Sequence, residues 1–251
     1  MSAKENILRY KPKRYKRPMD LSIALPSLMI LAPLMALIAL MIKLWSKGPI
    51  IYSQDRIGAN YKLFKMLKFR TMYLNADELV NDDSLEDIYD ENSDDESSDE
   101  INQIVPEKTT TLIGNNGEVF EHQHLEDKPT KSFRKFKNDP RITKIGKILR
   151  RTSLDELPQL WNVITGDLSI IGNRPLPIYE AEKLLVDDCV GRFMAPAGLT
   201  GLWQVMRKKK KYNGVEARIR LDIKYADEYS FWYDLKILFL TPFSLLQEKN
   251  S

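Results

Sequence analysis

The most apolar stretch of the chain runs from Leu21 to Ile42. It is interrupted only by two serines and by the prolines Pro26 and Pro33. A straight helix of this length would reach roughly 33 Å at about 1.5 Å per residue, which is enough to cross a bilayer. The hydropathy pattern alone is therefore compatible with a single transmembrane anchor.

Two features of this stretch favour a re-entrant path instead. Pro33 lies near its middle, where a proline deletes a backbone hydrogen bond and bends a helix. Basic residues flank both ends, and a single span cannot keep both sets of positive charge in the cytoplasm. They are Lys11, Lys13, Arg14, Lys16 and Arg17 before it and Lys43 and Lys47 after it. We predict a basic segment over residues 1–18 and a re-entrant, monotopic membrane helix over 19–47 that breaks at Ala32-Pro33.

Residues 48–74 are predicted to form a β-hairpin. Two apolar runs, 49–52 and 62–69, flank the turn-forming Gly58-Ala59-Asn60. Lysines recur through the second run, so one face of that strand is expected to pack and the other to be cationic. Because a membrane segment lies directly upstream, contact with phosphates or lipid headgroups is favoured over a merely solvated face.

Charge is distributed unevenly along the chain. It has 38 basic and 35 acidic residues, a net charge of +3. Thirteen acidic residues and no basic one fall between Asp77 and Glu100, so the rest carries 38 basic against 22 acidic residues, a net +16. A strongly basic body indicates an anionic partner: nucleic acid, anionic lipid or a phosphorylated substrate. The acidic stretch predicts a mobile insert over residues 75–108.

Residues 109–138 are predicted to form a small loop and hairpin region that turns at Asn115-Asn116-Gly117. The two histidines of the chain, His122 and His124, lie in this polar region, where such a pair seldom binds metal. Cys189 is the only cysteine, which excludes a disulfide framework. A zinc site built from Cys and His is not expected.

The segment 139–251 holds the candidate chemistry. Ser153 followed by Glu156 matches a capping box and predicts a helix that ends at Gly166. Its apolar face is predicted at Leu154, Leu157, Leu160, Trp161 and Ile164.

The predicted helix start matters for Asp155, which would lie in its first turn. Unpaired N–H groups, the helix dipole and the adjacent Arg150 and Arg151 would keep that carboxylate ionised, as a nucleophile or metal ligand requires. Acidic residues in first turns are also common for purely structural reasons, so that alternative remains open.

Two downstream loops suit phosphate binding. Arg174 lies in a proline-stiffened turn, and Thr200 lies between glycines that permit close backbone approach. Residues 225–246 are rich in aromatic side chains but are interrupted by Asp234, Lys236 and Pro242. This composition favours an amphipathic helix at the headgroup level, with a buried core helix as the alternative. The predicted fold class is α+β and mainly helical, with a helical cytosolic domain and amphipathic interfacial helices.

Seven motifs occur in order along the chain outside residues 75–137. They are Lys16-Arg17-Pro18-Met19-Asp20, Gly48-Pro49-Ile50-Ile51-Tyr52-Ser53-Gln54-Asp55-Arg56-Ile57-Gly58, Lys68-Phe69-Arg70-Thr71-Met72, Asp139-Pro140-Arg141-Ile142-Thr143, Ser153-Leu154-Asp155-Glu156-Leu157-Pro158-Gln159-Leu160-Trp161-Asn162, Gly166-Asp167-Leu168-Ser169 and Leu221-Asp222-Ile223-Lys224-Tyr225. Together they resemble the bacterial sugar transferases, the monotopic polyprenyl-phosphate phosphoglycosyl transferases. One departure is Gly172-Asn173-Arg174-Pro175, where Gly-Pro-Arg-Pro is usual, which keeps the arginine and is expected to loosen the turn.

The resemblance implies the small form of the family, at the cytoplasmic face of the bacterial inner membrane. It implies transfer of a sugar 1-phosphate from a nucleotide diphosphate sugar, usually a UDP-sugar, to undecaprenyl phosphate, with Mg²⁺. The implied catalytic dyad is Asp155 and Glu156, which would also hold the metal. The residues predicted to bind substrate or phosphate are Lys68, Arg70, Arg141, Arg150, Arg151, Arg174, Thr200 and Asp222.

Two other functions are compatible with parts of the pattern. A membrane-anchored, non-catalytic partner protein could dock through its acidic insert and bind membrane lipids through its basic body. Nucleic-acid binding is weaker and is not expected, because Lys208–Lys211 is a single short basic run without interleaved aromatic residues.

Overall fold

The computed structural model describes residues 10–74, 111–113, 119–121, 139, 141–184, 189–207 and 214–247. These parts of the chain are mainly helical with short two-stranded sheets, as the predicted α+β class requires. The α-helices are α1 (Lys16–Trp45), α2 (Lys144–Thr152), α3 (Gln159–Thr165), α4 (Ile178–Lys183), α5 (Leu202–Met206), α6 (Val215–Glu228) and α7 (Phe231–Gln247). The strands are β1 (Ile51–Ile57), β2 (Leu63–Phe69), β3 (Thr111–Ile113), β4 (Val119–Glu121), β5 (Ser169–Ile171) and β6 (Gly198–Thr200).

The helix α1 forms where the apolar stretch predicts it, but it is continuous. Helical backbone passes through both Pro26 and Pro33, so the predicted break at Ala32-Pro33 is wrong. A proline removes one backbone hydrogen bond, and the remaining bonds along the helix keep its other polar groups paired. Within the described residues, α1 is the helix that is long and apolar enough to cross a membrane. Its path relative to a bilayer stays a prediction.

Both ends of α1 pack against the rest of the chain, whereas its middle is exposed. Near its start, Ala24 is fully buried in a cluster that includes Val163 of α3. Near its end, Ile42 is buried in a second cluster with Leu149 of α2. Between these contacts, Met29 is 78% exposed. One side of the central part of the apolar helix is therefore uncovered by the described chain, whereas Leu28 and Leu31 are partly buried against the first cluster.

The predicted hairpin is confirmed in β1 and β2. They pair antiparallel from Ile51 opposite Phe69 to Ile57 opposite Leu63. The expectation of one cationic face on β2 is wrong, because its lysines recur every three residues whereas strand side chains alternate every two. Lys65 is accordingly exposed, while Lys68 is half-buried.

A second small hairpin is also confirmed. Strands β3 and β4 pair antiparallel, with Thr111 opposite Glu121. The acidic insert 75–108, the remainder of 109–138 with His122 and His124, and the basic run 208–211 lie outside the described residues.

The C-terminal aromatic stretch is two helices and not one. The chain turns at residues 229–230, which separates α6 from α7. Along α7, Asp234 and Ile237 are buried, while Trp232 and Phe239 are 75% and 68% exposed. One side of α7 is thus part of the core and the other presents aromatic rings. Contact of those rings with lipid stays a prediction.

Candidate active site

The predicted dyad lies in the short connection between α2 and α3. Helix α2 ends at Ser153, whose backbone is left-handed with φ 56°, and residues Leu154–Glu156 form a single 3₁₀ turn. Ser153 makes no side-chain capping bond, so the predicted capping box is wrong. Its N–H donates instead to the carbonyls of Leu149 and Arg150, which terminates α2. The sequence pattern marked a helix boundary correctly but assigned Ser153 to the wrong helix.

This later start shifts the buried face of α3. The helix begins at Gln159, and Leu160 and Val163 are buried, whereas Trp161 is 54% exposed. The prediction that Trp161 shares the apolar face is therefore wrong. The predicted stop is confirmed, because Gly166 adopts φ 93° and its N–H donates to the carbonyls at the end of α3.

Asp155 is nearly buried, with 8% of its surface exposed. Burial raises the pKa of Asp155 above its ordinary value; Lys68 and Arg150 act to lower it, and the charge of Glu156 acts to raise it. A helix dipole was expected to favour the ionised form, but the residue lies in one 3₁₀ turn and desolvation dominates. The carboxylate is consequently more basic than a free aspartate.

Glu156 lies in a different environment from its neighbour. Its Oε1 is 2.7 Å from Nζ of Lys68, and its side chain is 37% exposed. Burial would raise the pKa of Glu156, but the charges of Lys68 and Arg174 and the Lys68 hydrogen bond hold it below its ordinary value. Two adjacent carboxylates thus have pKa values shifted in opposite directions, an arrangement typical of sites that divide two roles between two acids.

The Asn162 side chain holds α3 against β2. Its Oδ1 accepts the N–H of Leu67 at 2.9 Å, and its Nδ2 donates to the carbonyl of Lys65 at 2.9 Å. The amide therefore pairs with the strand edge in the way another strand would. Because Lys68 follows directly on this edge, Asn162 sets the distance between Lys68 and the dyad turn. This role was not identified from the sequence. The available signal was a polar residue on an otherwise apolar helix face.

The other side of the dyad is positioned by α2. Gly146 lies so close to the segment that follows β2 that an added Cβ would come within 2.1 Å of the Thr71 carbonyl oxygen. This contact brings Arg150 to Thr71, where its Nε donates to Oγ1 at 2.9 Å. Arg150 is thereby fixed where its charge acts on Asp155.

Several residues predicted to bind phosphate make contacts elsewhere. Arg70 donates to the carbonyl and hydroxyl of Ser46 at the end of α1. Arg141 forms a buried ion pair with Asp139 at 2.8 Å. Arg151 lies exposed on α2. The roles of these three arginines in phosphate binding stay predictions.

Thr200 and Asp222 are buried in structural contacts. The Thr200 hydroxyl lies 2.9 Å from that of Thr241 on α7. Asp222 is paired with Arg192 at 2.7 Å, with both side chains almost fully buried. These contacts join β6 and α6 to their neighbours. The described structure does not bring either residue into contact with Asp155 or Glu156.

Arg174 does reach the site. It is exposed on the loop after β5, and its charge lowers the pKa of Glu156. The loop is not loosened by the asparagine that precedes this arginine. The buried Asn173 donates from Nδ2 to the carbonyls of Arg192 and Asp222 at 2.8 and 2.9 Å. These two bonds to other elements replace the stiffness that a proline would give.

The implied Mg²⁺ would need oxygen ligands from the dyad. The described residues contain no group of three or more His, Cys, Asp or Glu side chains able to hold a metal. Magnesium is commonly bound by only one or two carboxylates, with substrate phosphates and waters completing the shell. Asp155 and Glu156 are close enough for one charge to raise the pKa of the other. This donor pair fits a Mg²⁺ ion shared with a bound diphosphate.

Comparison with known proteins gives consistent similarities. Residues 11–248 match a family model described as bacterial sugar transferase. The chain is 35% identical over 237 residues to the UDP-galactose-lipid carrier transferase of Erwinia amylovora, which covers 94% of this chain and 41% of the relative. It is 34% identical to the undecaprenyl-phosphate galactose phosphotransferase of Salmonella typhimurium, covering 98% of this chain and 43% of the relative.

A shorter relative is matched over most of its own length. The exopolysaccharide production protein ExoY of Sinorhizobium fredii is 34% identical, over 90% of this chain and 83% of the relative. By contrast, the chain spans only about two fifths of the length of the Erwinia and Salmonella relatives, at 41% and 43%.

Proposed function

The chain belongs to the bacterial sugar transferase family, and we propose that it transfers a sugar 1-phosphate from a UDP-sugar to undecaprenyl phosphate at the cytoplasmic membrane face. The names of its relatives support the donor and acceptor classes, since one is a UDP-galactose-lipid carrier transferase and another an undecaprenyl-phosphate galactose phosphotransferase. The exopolysaccharide relative supports a product used in polysaccharide synthesis.

One observation carries this proposal: the dyad turn packs against the apolar helix. Leu154 and Leu157, on either side of Asp155 and Glu156, contact the cluster formed by the C-terminal part of α1 with α2. A polyprenyl phosphate keeps its chain in the bilayer and its phosphate at the surface, whereas a UDP-sugar is water-soluble. A carboxylate pair held beside an exposed apolar helix is placed where both substrates can reach it.

The packing of α1 supports a monotopic, re-entrant attachment. A straight span would place its two ends on opposite sides of a membrane. Here Ala24 and Ile42 both pack on the same folded body, while the apolar middle around Met29 is exposed. Insertion of only that middle part into one leaflet is compatible with both sets of contacts and with basic residues at both ends.

The proposed reaction has two steps at one phosphorus atom. A carboxylate oxygen of Asp155 attacks the phosphorus that carries the sugar, the bridging P–O bond breaks, and UMP leaves. An oxygen of undecaprenyl phosphate then attacks the same phosphorus, and the bond to Asp155 breaks, which restores the carboxylate. Because the acceptor is already anionic, the second step needs no strong base.

The neighbouring residues serve these steps electrostatically. Lys68 holds Glu156 and, with Arg150, offsets negative charge around Asp155. Glu156 and Asp155 would hold Mg²⁺, which supplies charge neutralisation on phosphoryl oxygens when bound. Asp155, largely shielded from water, is kept more basic than a free carboxylate until a phosphorus atom is presented to it.

The test is UMP release by Asp155→Asn with UDP-sugars, polyprenyl phosphate and Mg²⁺. Losing the nucleophile is expected to lower turnover on the order of 10³-fold or more, because an amide cannot form the intermediate. Asp227→Asn on the exposed face of α6 is the matched control and should retain activity. Both variants should remain in the membrane fraction. Substantial turnover by Asp155→Asn would refute the assignment.

The alternative of a non-catalytic membrane-anchored partner is not favoured. The relatives of the chain are named as transferases, and a nearly buried carboxylate such as that of Asp155 is costly to maintain for docking alone. Release of UMP from any UDP-sugar by the intact chain would exclude it.

A further inference from the structure

A group of arginines lies beside the dyad on elements that come together only in the fold. The end of β1 pairs with the loop after β5, since Ile57 and Leu176 exchange backbone hydrogen bonds of 2.8 and 3.0 Å. Arg56 and Arg174 are close neighbours of these paired residues. Burial lowers the pKa of Arg56, and the positive charge of Arg174 lowers it further, as expected for two guanidinium groups held near one another.

Arg218 joins this group from α6. Its Nη1 lies 3.4 Å from Oε2 of Glu180, and its guanidinium carbon lies 5.0 Å from the centre of the Trp203 ring. The guanidinium carbon of Arg207 lies 5.6 Å from the same ring. An indole attracts cations over its face, so Trp203 helps to hold guanidinium groups in a fixed direction. We call Arg56, Arg174 and Arg218, with Trp203, the arginine cluster.

The charges of the arginine cluster exceed what the described chain neutralises. Glu180 is paired with Arg218, and Glu156 with Lys68. Arg56 and Arg174 have no carboxylate within ion-pair distance among the described residues. The buried Nε atoms of Arg56 and Arg218 and the indole Nε1 of Trp203 also have no hydrogen-bond acceptor there. Buried donors are nearly always paired, so these donors indicate an anionic ligand.

We propose that the arginine cluster binds the diphosphate of the nucleotide donor, with Arg56 and Arg218 as binding residues and Trp203 as a positioning residue. The inference rests on the proposed function for the identity of the ligand. Arg174 links the two sites, because its charge acts both on Glu156 and on Arg56. A diphosphate held by the planar guanidinium forks would thus present its phosphorus to the dyad.

The experiment is calorimetric titration of the full chain in lipid nanodiscs with UDP, pyrophosphate and uridine. Arg56→Gln and Arg218→Gln should each weaken UDP and pyrophosphate binding about tenfold or more, because each removes charge-assisted hydrogen bonds. Arg220→Gln is the matched control. It lies on the same helix with a side chain 75% exposed and pairs with Glu216, so it should bind as the unaltered chain does.

Turnover measurements separate binding from chemistry. Arg56→Gln and Arg218→Gln should raise KM for the UDP-sugar about tenfold while lowering kcat far less. If Arg218→Gln fails to fold, Arg218→Lys keeps the charge without the planar fork and should still bind pyrophosphate more weakly than the Arg220→Gln control. Trp203→Leu should weaken pyrophosphate binding, and Trp203→Phe, which keeps an aromatic face for the guanidinium groups, should restore part of that binding.

The possible failures are distinct. UDP binding that is absent, or unchanged in Arg56→Gln and Arg218→Gln, overturns the arginine cluster as a binding site. Equal effects of Arg218→Gln and Arg220→Gln overturn it as well, since they would reflect net charge alone. UDP binding that depends on the cluster in a chain that releases no UMP supports the site and contradicts the proposed reaction.

Discussion

Two adjacent acids define the site at the scale of single residues. Asp155 is buried, with its pKa raised chiefly by desolvation, whereas Lys68 and Arg174 hold the pKa of Glu156 below its ordinary value. The sequence places them side by side in one motif. Their pKa values differ because the fold gives them different partners. Lys68 on β2 forms an ion pair with Glu156, and Arg174 on the loop after β5 lowers the pKa of Glu156.

The pH dependence of turnover follows from these shifts. Attack needs ionised Asp155, so a raised pKa means that activity falls on acidification at a higher pH than an ordinary aspartate would give, near 3.9. Lys68→Met removes a positive charge that lowers the pKa of Asp155, so it should move the acidic limb of the kcat/KM profile to higher pH. Glu156→Gln removes a negative charge that raises the pKa of Asp155, so it should move the acidic limb to lower pH.

The measurement is the pH profile of UMP release, with Lys65→Met as control because that lysine is exposed on the same strand. Shifts of the same sign in Lys68→Met and Glu156→Gln would contradict the assignment of Asp155 as the titrating group.

Ser153 gives a second test at the residue scale. A left-handed backbone costs an L-residue about 1–2 kcal/mol, and glycine avoids that cost. Ser153→Gly should therefore raise the free energy of unfolding by roughly 1 kcal/mol, seen as a melting temperature about 2–4 °C higher. If Ser153 were instead a helix N-cap, the same change would be slightly destabilising. A lower melting temperature would thus contradict the observed φ of 56°.

At the scale of elements, α1 is the apolar helix on which the proposed membrane attachment depends. Its two ends are buried against different parts of one folded body, and its exposed apolar middle lies between them. Contacts of both ends with one folded body are what the proposed re-entrant path requires.

We therefore expect cysteines at both ends of α1 to be labelled from the same side. In a Cys189→Ser background, Arg14→Cys and Lys47→Cys should each react with a membrane-impermeant maleimide in inverted vesicles and stay unlabelled in intact cells. Both wild-type side chains are exposed. Met29→Cys, in the exposed apolar middle, serves as the control and should be shielded by lipid in both preparations. Labelling of the two ends from opposite sides would contradict the re-entrant path.

At the scale of the whole molecule, a buried ionic network fastens the start of α1 to the C-terminal helices. Nζ of Lys16 lies 3.0 Å from Oδ2 of Asp234 and donates to the Ile171 carbonyl of β5 at 2.6 Å. The Tyr225 hydroxyl of α6 donates to Asp234 at 2.7 Å, and that of Tyr15 at 2.9 Å. Four elements or segments thus meet at one carboxylate, which fixes the start of α1 relative to α6 and α7.

Breaking this network should destabilise the chain strongly. Lys16→Met or Asp234→Leu leaves one buried charge without its partner and should cost roughly 3–5 kcal/mol, measured by thermal unfolding in detergent. The double variant should recover a substantial part of that loss, because no unpaired charge remains. Glu216→Gln is the control, since its pair with Arg220 is exposed and worth well below about 1 kcal/mol. Additive losses in the double variant would show that the pair is not coupled.

Local signals in the sequence determined much of the fold. The apolar stretch specified α1, the strand pattern with Gly58-Ala59-Asn60 specified the first hairpin, and Gly166 specified the end of α3. Each depends on residues near in the chain, where hydrophobic periodicity and turn chemistry act directly. The ordered motifs likewise indicated the family and the dyad without any tertiary information.

Tertiary structure alone decided which side chains meet. Lys68 and Glu156 are 88 residues apart in sequence, and Lys16 and Asp234 are 218 residues apart. No local spacing in the sequence predicts either pair. The same limit explains why the sequence did not predict the buried contacts of Thr200 with Thr241 and of Asp222 with Arg192. The type of a side chain determines which groups it can hydrogen-bond or form an ion pair with. Which bond it makes depends on long-range packing, because burial and neighbouring charge are properties of the folded chain and not of the residue.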